Sequence, residues 1–199
     1  MNHHFKENQI NLDSNGAIYV EKEKTLIIAN FEFFKTSIST NKRLANFEKL
    51  KKIVQLETCL QEYQPDKLVF IGGLRFHINT ALENLHEFKK KFETTQFFHI
   101  SSKKNAFLAD FKHIGINCHQ ELKVGDFLIS PEESKPKMPH FYAAKNAIKV
   151  EQHIFPCFCQ TDQGFSLPSF AQTQNYDLIQ PIDYQAVFGI DQEKVFTYH

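Results

Sequence analysis

The feature that most constrains the fold is an alternation of short apolar runs and amphipathic stretches in the first half of the chain. The apolar runs are AIYV (17–20), TLIIAN (25–30), KLVFIGG (67–73) and TQFFHI (95–100). Two stretches near 40 to 63 and 78 to 92 carry apolar residues at helical spacing, with charged residues on the other face. A strand that returns through a helix lies parallel to the previous strand. We therefore predict an α/β protein whose first strands are parallel.

The second half has a different pattern, because helical periodicity nearly disappears after Ile116. Short β-prone runs follow one another between Gly, Pro, Asp and Lys residues: INCHQEL (116–122), DFLIS (126–130), HFYAA (140–144), AIKV (147–150), HIFPCFC (153–159) and KVFTY (194–198). No repeat or low-complexity linker divides the two halves. We predict a polar N-terminal tail over residues 1–16 and a single domain over residues 17–199, with two packed sheets and flanking helices.

Composition limits the function classes. The chain has 199 residues, of which 42% are hydrophobic, so it can bury a sizeable core. Lys plus Arg and Asp plus Glu both total 23, so net charge gives no argument for nucleic acid or an anionic membrane as partner, although a local basic patch stays open. No apolar run approaches the length of about 18 residues that spans a membrane, and the start is polar. We expect a cytoplasmic protein without a membrane partner.

The four cysteines do not form a recognisable pattern. Cys59 lies in a helical stretch, Cys118 stands alone, and one residue separates Cys157 from Cys159 in an apolar run. This spacing is typical of neither a disulfide framework nor a CxxC zinc site. We interpret all four as reduced thiols that are mostly buried.

Several segments together are similar to one family. The segments LIIANFEFFK (26–35) and LVFIGGLRFH (68–77) stand where calcineurin-like metallophosphoesterases have strands ending in Asp-x-His and Gly-Asp. Over 16–35 the chain resembles more narrowly the bacterial subgroup associated with DNA ligase. Later segments agree in order with that subgroup: AIKV, IFPCFC and GFSLPSFAQTQ. The resemblance covers roughly residues 17 to 199 and implies a four-layer α/β/β/α sandwich with two mixed sheets.

The same resemblance implies that the metal site of the family is degenerate here. In the family, carboxylates, imidazoles and an amide hold two metal ions, and a metal-bound hydroxide attacks a phosphate ester. At the corresponding positions this chain has Asn30, Glu32, Gly73, Ser101, Ser102, Lys103, Lys104, Pro131 (within about one residue), Tyr142, Ala143, Ala144 and Lys145. Glycine cannot supply the anion that bridges two dications, and lysine does not coordinate metals.

Two interpretations of function follow. The first is a catalytically inactive metallophosphoesterase-like protein, a pseudoenzyme without a cofactor, with a binding or scaffolding role. The alternative is an active metal-dependent phosphoesterase or nuclease, in which Glu32, His77 and a distant histidine hold a divalent metal such as manganese. As a lone histidine, His77 is also compatible with a purely structural role.

The basic residues near the degenerate positions suggest an anion pocket. The candidates are Arg75, His77, Lys103, Lys104 and Lys145. The alternative is that the lysines are solvated, or that Lys103 or Lys145 pairs with Glu32 in place of the missing metals. A phosphate-containing ligand, a DNA-repair protein and a second copy of the chain all stay open as partners.

A few other polar residues are weaker candidates. His99, His140 and His153 fall in strand patterns and could form a new metal site if they met in space, although their spacing matches no metal motif. Asp110 falls in a helical stretch, and Asp126 follows Gly125 as expected in a turn.

Overall fold

A computed structural model places two β-sheets face to face, with helices on the outside of the first. The residues that it describes are 1–31, 42–72, 80–102, 108–133, 138–171, 176–192 and 194–198. All statements below on the structure refer to these residues.

The first sheet follows the order of the chain. Its seven described strands are β1 (Asn2–Phe5), β2 (Asn8–Leu12), β3 (Ala17–Val20), β4 (Thr25–Ala29), β5 (Lys67–Ile71), β6 (Gln96–Ile100) and β7 (Ile116–His119). Strands β1 to β4 are antiparallel to their neighbours, and β4 to β7 are parallel. The predicted strands of the first half are therefore present. Those that helices join, β4 to β6, are parallel as predicted, whereas β3 is antiparallel to β4 because a short turn and no helix connects them.

Three helices connect the parallel strands: α1 (Lys42–Tyr63), α2 (Thr80–Lys91) and α3 (Leu108–His113). Leu56 of α1, Leu85 of α2 and Phe111 of α3 are buried in one cluster with side chains from one face of the first sheet, such as Leu68 and Phe70. Helices α1 and α2 lie close to the predicted ranges. The apolar residues of α2 share one face, whereas α1 buries Leu56 and Leu60 but leaves Leu50 and Val54 exposed. Among the described residues, no helix is long and apolar enough to cross a membrane.

The second sheet is built from the second half of the chain. Its nine described strands are β8 (Leu122–Val124), β9 (Phe127–Ser130), β10 (His140–Ala143), β11 (Asn146–Val150), β12 (His153–Gln160), β13 (Gly164–Leu167), β14 (Asp177–Leu178), β15 (Ala186–Asp191) and β16 (Lys194–Tyr198). The main order is β14-β11-β12-β13-β10-β9-β8, and β15 pairs with β12 and β16. Strand β10 runs parallel to β9 and β13, while the β12 pairings are antiparallel. Both sheets are therefore mixed, as expected.

Aromatic side chains fill the space between the sheets. Alternate residues of each strand point into it, and Phe127, Phe141, Phe158 and Phe165 of the second sheet are fully buried there. Phe5 of β1 stacks on Phe127 with ring centroids 5.8 Å apart. Burial of this apolar surface is the main force that holds the sheets together.

The N-terminal segment corrects one prediction. Residues 2–12, expected as part of a polar tail, form the β1–β2 hairpin at the edge of the first sheet. Phe5, Ile10 and Leu12 are fully buried between the sheets, and the His3 ring hydrogen-bonds Gln160 through Nε2 at 2.7 Å. In β2, Ile10 and Leu12 alternate with polar residues, and in β1 Phe5 is the single apolar residue, so the many polar residues concealed the pattern of a half-buried hairpin. The hairpin therefore belongs to the same core as the rest of the chain.

The outer face of the second sheet differs from the predicted sandwich. In the described part of the chain, no α-helix packs there. The face carries instead a small cluster around Ile148, Cys157, Cys159 and Val187, with Tyr184, Phe196 and Tyr198 packed against it. The 3-10 turn Pro181–Asp183 is the one short helical segment near this sheet in the described ranges. The structure therefore shows an α/β protein with two mixed sheets and few helices, and the four-layer form is not seen in full.

Candidate functional site: the rim where both sheets end

The parallel strands of both sheets end near one another. Ala29 at the end of β4 forms a parallel bridge with Ser169 after β13, and its carbonyl accepts a hydrogen bond from the Phe170 N–H at 2.9 Å. We call this edge the rim. Its described residues are Asn30, Gly72, Ser101, Ser102, Pro131, Glu132, Ala143, Ala144 and Lys145. Open α/β sheets commonly place functional groups at such an edge.

Asn30, Gly72 and Ala143 come together at the centre of the rim. Asn30 has a φ of +50°, which asparagine tolerates, and its N–H donates to the Ile71 carbonyl at 2.8 Å. Gly72 has a φ of +79°, and a Cβ there would lie 2.7 Å from Asn30 Oδ1 and 3.4 Å from Ala143 Cβ. Glycine is required because the Asn30 side chain fills the space. Two of the predicted degenerate positions, one from each sheet, are therefore neighbours.

Ser102 and Glu132 make a second contact across the rim. The Ser102 hydroxyl donates to Glu132 Oε1 at 3.0 Å, and both residues are exposed. The Ser130 hydroxyl, which is buried, donates to the Glu132 carbonyl at 2.8 Å. Pro131, the predicted position, contributes no side-chain donor. Glu132 is thus the nearby carboxylate that sequence reasoning missed, although it lies within about one residue of the predicted position.

His99 supports the rim from below. Its ring is buried, packs edge-on against Phe111 at 5.3 Å between centroids, and contacts the Gly72 carbonyl through Nε2 at 3.0 Å. Since a carbonyl only accepts, Nε2 carries the hydrogen. Burial lowers the pKa of His99, and the hydrogen bond to Gly72 opposes that shift. A neutral His99 therefore fixes the carbonyl at the end of β5.

Lys145 is the described member of the predicted anion pocket. Its side chain is exposed and forms no ion pair with a carboxylate of the described residues. Its carbonyl accepts from the Asp177 N–H at 2.8 Å. The other candidates lie outside the described residues: Glu32, Gly73, Arg75, His77, Lys103 and Lys104. The pairing of Glu32 with Lys103 or Lys145 therefore stays a prediction.

The other polar candidates do not assemble into a site. His99 is on β6, His140 on β10 and His153 on β12. Among the described residues, no group of three or more His, Cys, Asp or Glu side chains could hold a metal ion. Asp110 lies in α3 and Asp126 in the turn before β9, as their sequence contexts predicted.

The described rim residues do not fit a binuclear metal site. Asn30 offers an amide, Ser102 a hydroxyl that is already hydrogen-bonded, and Lys145 a cation, while Pro131 and Ala143 have no side-chain donor. Two neighbouring dications need several anionic or imidazole ligands. Within the described ranges, Glu132 is the single carboxylate of the rim. We therefore derive no metal-dependent step from this arrangement.

Comparison with known proteins defines the class of fold. No protein-family model and no curated protein matches the sequence. Among solved structures, the chain is similar to the nuclease MPE of Pseudomonas putida, with a TM-score of 0.83 and 16% sequence identity over 100% of this chain and 99% of that chain. The fold is therefore like that of a nuclease over the full length. At this identity the likeness shows the fold, and the assignment to the DNA-ligase-associated subgroup stays a prediction.

Proposed function

We propose that this protein is a catalytically inactive relative of the metallophosphoesterases, with a binding or scaffolding role. The fold of a nuclease and the resemblance of its scaffold segments support an enzyme ancestor. The composition of the rim supports the loss of activity. The four-layer architecture, a single domain that includes the β1–β2 hairpin, and a cytoplasmic location belong to the same proposal.

The contact among Asn30, Gly72 and Ala143 carries this proposal. The resemblance aligns Asn30 and Ala143 with two metal ligands, and these positions are neighbours across the two sheets. They now hold an amide and a methyl group, and the amide oxygen packs against the Gly72 backbone. A methyl group cannot bind a metal or donate a proton, so a binuclear reaction would have to use other ligands.

The carboxylate of Glu132 favours a second candidate, an active hydrolase with substituted ligands. Glu132 is exposed at the rim and is oriented by the Ser102 hydroxyl. Together with Glu32 and His77 it could supply ligands for one divalent metal such as manganese. This candidate needs those three residues to converge, which is a testable requirement.

Metal content and hydrolysis separate the two candidates. The full chain is loaded with Mn²⁺, freed of excess metal, analysed for bound metal and assayed with bis(p-nitrophenyl) phosphate. Variants Glu32→Gln and Glu132→Gln are compared with Glu93→Gln, an exposed carboxylate beyond the end of α2. If the protein is inactive, we expect no stoichiometric metal and the same background rate of hydrolysis in the wild type and all three variants. Retained metal with turnover that only the first two variants lose would overturn it.

The binding role is testable with nucleic acid as the phosphate-containing ligand. We expect a fluorescent oligonucleotide to bind weakly, with an affinity that falls as salt rises. A triple variant of Lys103, Lys104 and Lys145 to Gln should reduce binding more than Lys112→Gln, which changes an exposed lysine on α3. Equal binding by both variants would exclude this basic group as the contact and leave a protein partner as the remaining form of the proposal.

A further inference from the structure

Two cysteine thiols face each other on the outer face of the second sheet. Cys157 and Cys159 are separated by Phe158, whose ring points into the space between the sheets. Alternate residues of a strand share a face, so both thiols point the same way. Their Sγ atoms are 3.7 Å apart, and both side chains are fully buried.

Polar neighbours distinguish the two sulfurs. The Asn146 amide donates to Cys159 Sγ at 3.3 Å and to Ser166 Oγ at 3.1 Å. The thiol of Cys157 lowers the pKa of Cys159, burial opposes this, and the Asn146 amide lowers it further. The contact with Cys159 and burial both raise the pKa of Cys157. Because the Asn146 amide donates to its sulfur and stabilises a thiolate there, Cys159 is the better nucleophile of the pair.

We propose that Cys157 and Cys159 form a redox modification site, which a peroxide-class oxidant closes to an intramolecular disulfide. Cys159 sulfur attacks one peroxide oxygen, which yields a sulfenic acid and water. The Cys157 sulfur then attacks the sulfenic sulfur of Cys159 and forms the S–S bond. The hydroxyl of the sulfenic acid leaves as a second water after it takes up the proton of the Cys157 thiol. Two thiols are oxidised by two electrons, and one hydrogen peroxide is reduced to two waters.

The surroundings favour a disulfide over a bound soft metal ion. A monovalent ion held by two thiolates would keep a net negative charge in the apolar cluster around Val187 and Ile148, whereas a disulfide is neutral. No third ligand completes a zinc site among the described residues.

The strand makes this disulfide easy to reduce. Residues two apart in a strand have Cα atoms about 6.7 Å apart, whereas disulfides prefer about 5.5 to 6 Å. This separation is near the upper limit for disulfides of about 6.8 Å, so we expect closure to strain β12, which pairs there with both β13 and β15. Strain of this kind makes a disulfide more oxidising, so a thiol reductant should reopen it readily.

Two side chains of the edge strand β16, Phe196 and Tyr198, pack against the cluster that contains the thiols. Gly189 pairs with Cys157 in the sheet, and the Phe196 ring of β16 occupies the space above Gly189. Phe196 is half-buried and packs edge-on against Phe155 at 5.5 Å between ring centroids. Buried thiols react slowly. We therefore expect opening of β16 to limit the rate of oxidation.

The test uses the native full chain exposed to hydrogen peroxide. After the reaction, free thiols are alkylated in denaturant and the peptides are weighed. We expect the peptide with Cys157 and Cys159 to lose two hydrogen atoms and to escape alkylation, and dithiothreitol to reverse both effects. Cys118→Ser, which removes the half-buried thiol of β7, should not change this result, whereas Cys157→Ser and Cys159→Ser should abolish it.

The rate of disulfide formation tests the role of β16. The identification of oxidised cysteines in the wild-type protein tests the proposal even if a variant fails to fold. Phe196→Ala should speed disulfide formation several-fold, and Phe155→Ala less. If the folded wild type keeps both thiols alkylatable while the unfolded chain forms the bond, the proposal is wrong. It is equally wrong if peroxide yields only sulfinic acid on one cysteine or disulfides through Cys118.

Discussion

Phe141 and Ala143 lie two residues apart on β10, but Phe141 belongs to the interior between the sheets and Ala143 to the rim. Phe141 is fully buried between the sheets, with its ring centroid 4.7 Å from that of Phe127. Ala143 lies at the rim against Gly72, where the resemblance expects a metal ligand. The interior must keep large apolar side chains to hold two sheets together. Residues of an active site are kept only while a reaction requires them, so the proposed loss of activity would change the rim and leave the interior as it is.

The largest effect should come from the interior. Phe141→Ala leaves a cavity between the sheets and should lower the free energy of unfolding by about 3 to 5 kcal/mol. Lys145→Ala, a change at the exposed end of the same segment, should cost less than about 0.5 kcal/mol. Urea unfolding of both variants measures the difference. Similar losses would mean that the rim is as important for stability as the core.

Gly72→Ala should have the next largest effect, because it adds a Cβ where the Asn30 side chain already fills the space. The new Cβ meets Asn30 Oδ1, and the positive φ is strained for alanine, so we expect a loss of about 1 to 3 kcal/mol.

Asn30→Gly offers a rescue, since glycine keeps the left-handed conformation and removes the amide. In that background Gly72→Ala should cost at least about 0.5 kcal/mol less. An equal cost in both backgrounds would show that Asn30 does not fill the space above Gly72.

The sequence predicted the interior better than the rim for a physical reason. Apolar runs such as Leu26 to Ile28 indicate buried strands because burial requires apolar side chains at consecutive or regularly spaced positions. The β1–β2 hairpin was missed because its pattern is short and interrupted by polar residues. The contact of Gly72 with Asn30 leaves no periodic signal, since it depends on backbone conformation and on strands distant in sequence. Glu132 was missed because proximity to Ser102 across two sheets cannot be read from spacing.

The pH dependence of stability tests the support beneath the rim. Burial lowers the pKa of His99 from its ordinary value of 6.5, and burial lowers that of His140 likewise. Between the folded and unfolded pKa values the unfolded chain binds more protons. Stability is therefore full above pH 6.5 and declines as the pH falls toward the folded values, by at most about 1.4 kcal/mol per pH unit for each group.

Replacement of His99 tests how much of the pH dependence of the unfolding free energy comes from this residue. His99→Gln keeps a donor for the Gly72 carbonyl but does not titrate, so the decline below pH 6.5 should become shallower. His113→Gln, at an exposed histidine of α3, serves as the control. Unfolding free energies from pH 5 to 8 provide the measurement, and an unchanged slope in the His99 variant would remove His99 as the source.

The smallest effects should distinguish the two serines that contact Glu132. Residue Ser130 is 2% exposed and its hydroxyl donates to the Glu132 carbonyl, so Ser130→Ala removes a partly buried hydrogen bond and should cost about 1 kcal/mol. The Ser102 hydroxyl donates to the Glu132 carboxylate in the open, where water replaces it, so Ser102→Ala should cost less than about 0.5 kcal/mol. The order of these two stability losses shows whether buried or exposed contacts hold Glu132 at the rim. If Ser102→Ala proved the more costly change, the Glu132 carboxylate would be held by a stronger contact than its exposure allows, and the rim would then be a preserved site and not a decayed one.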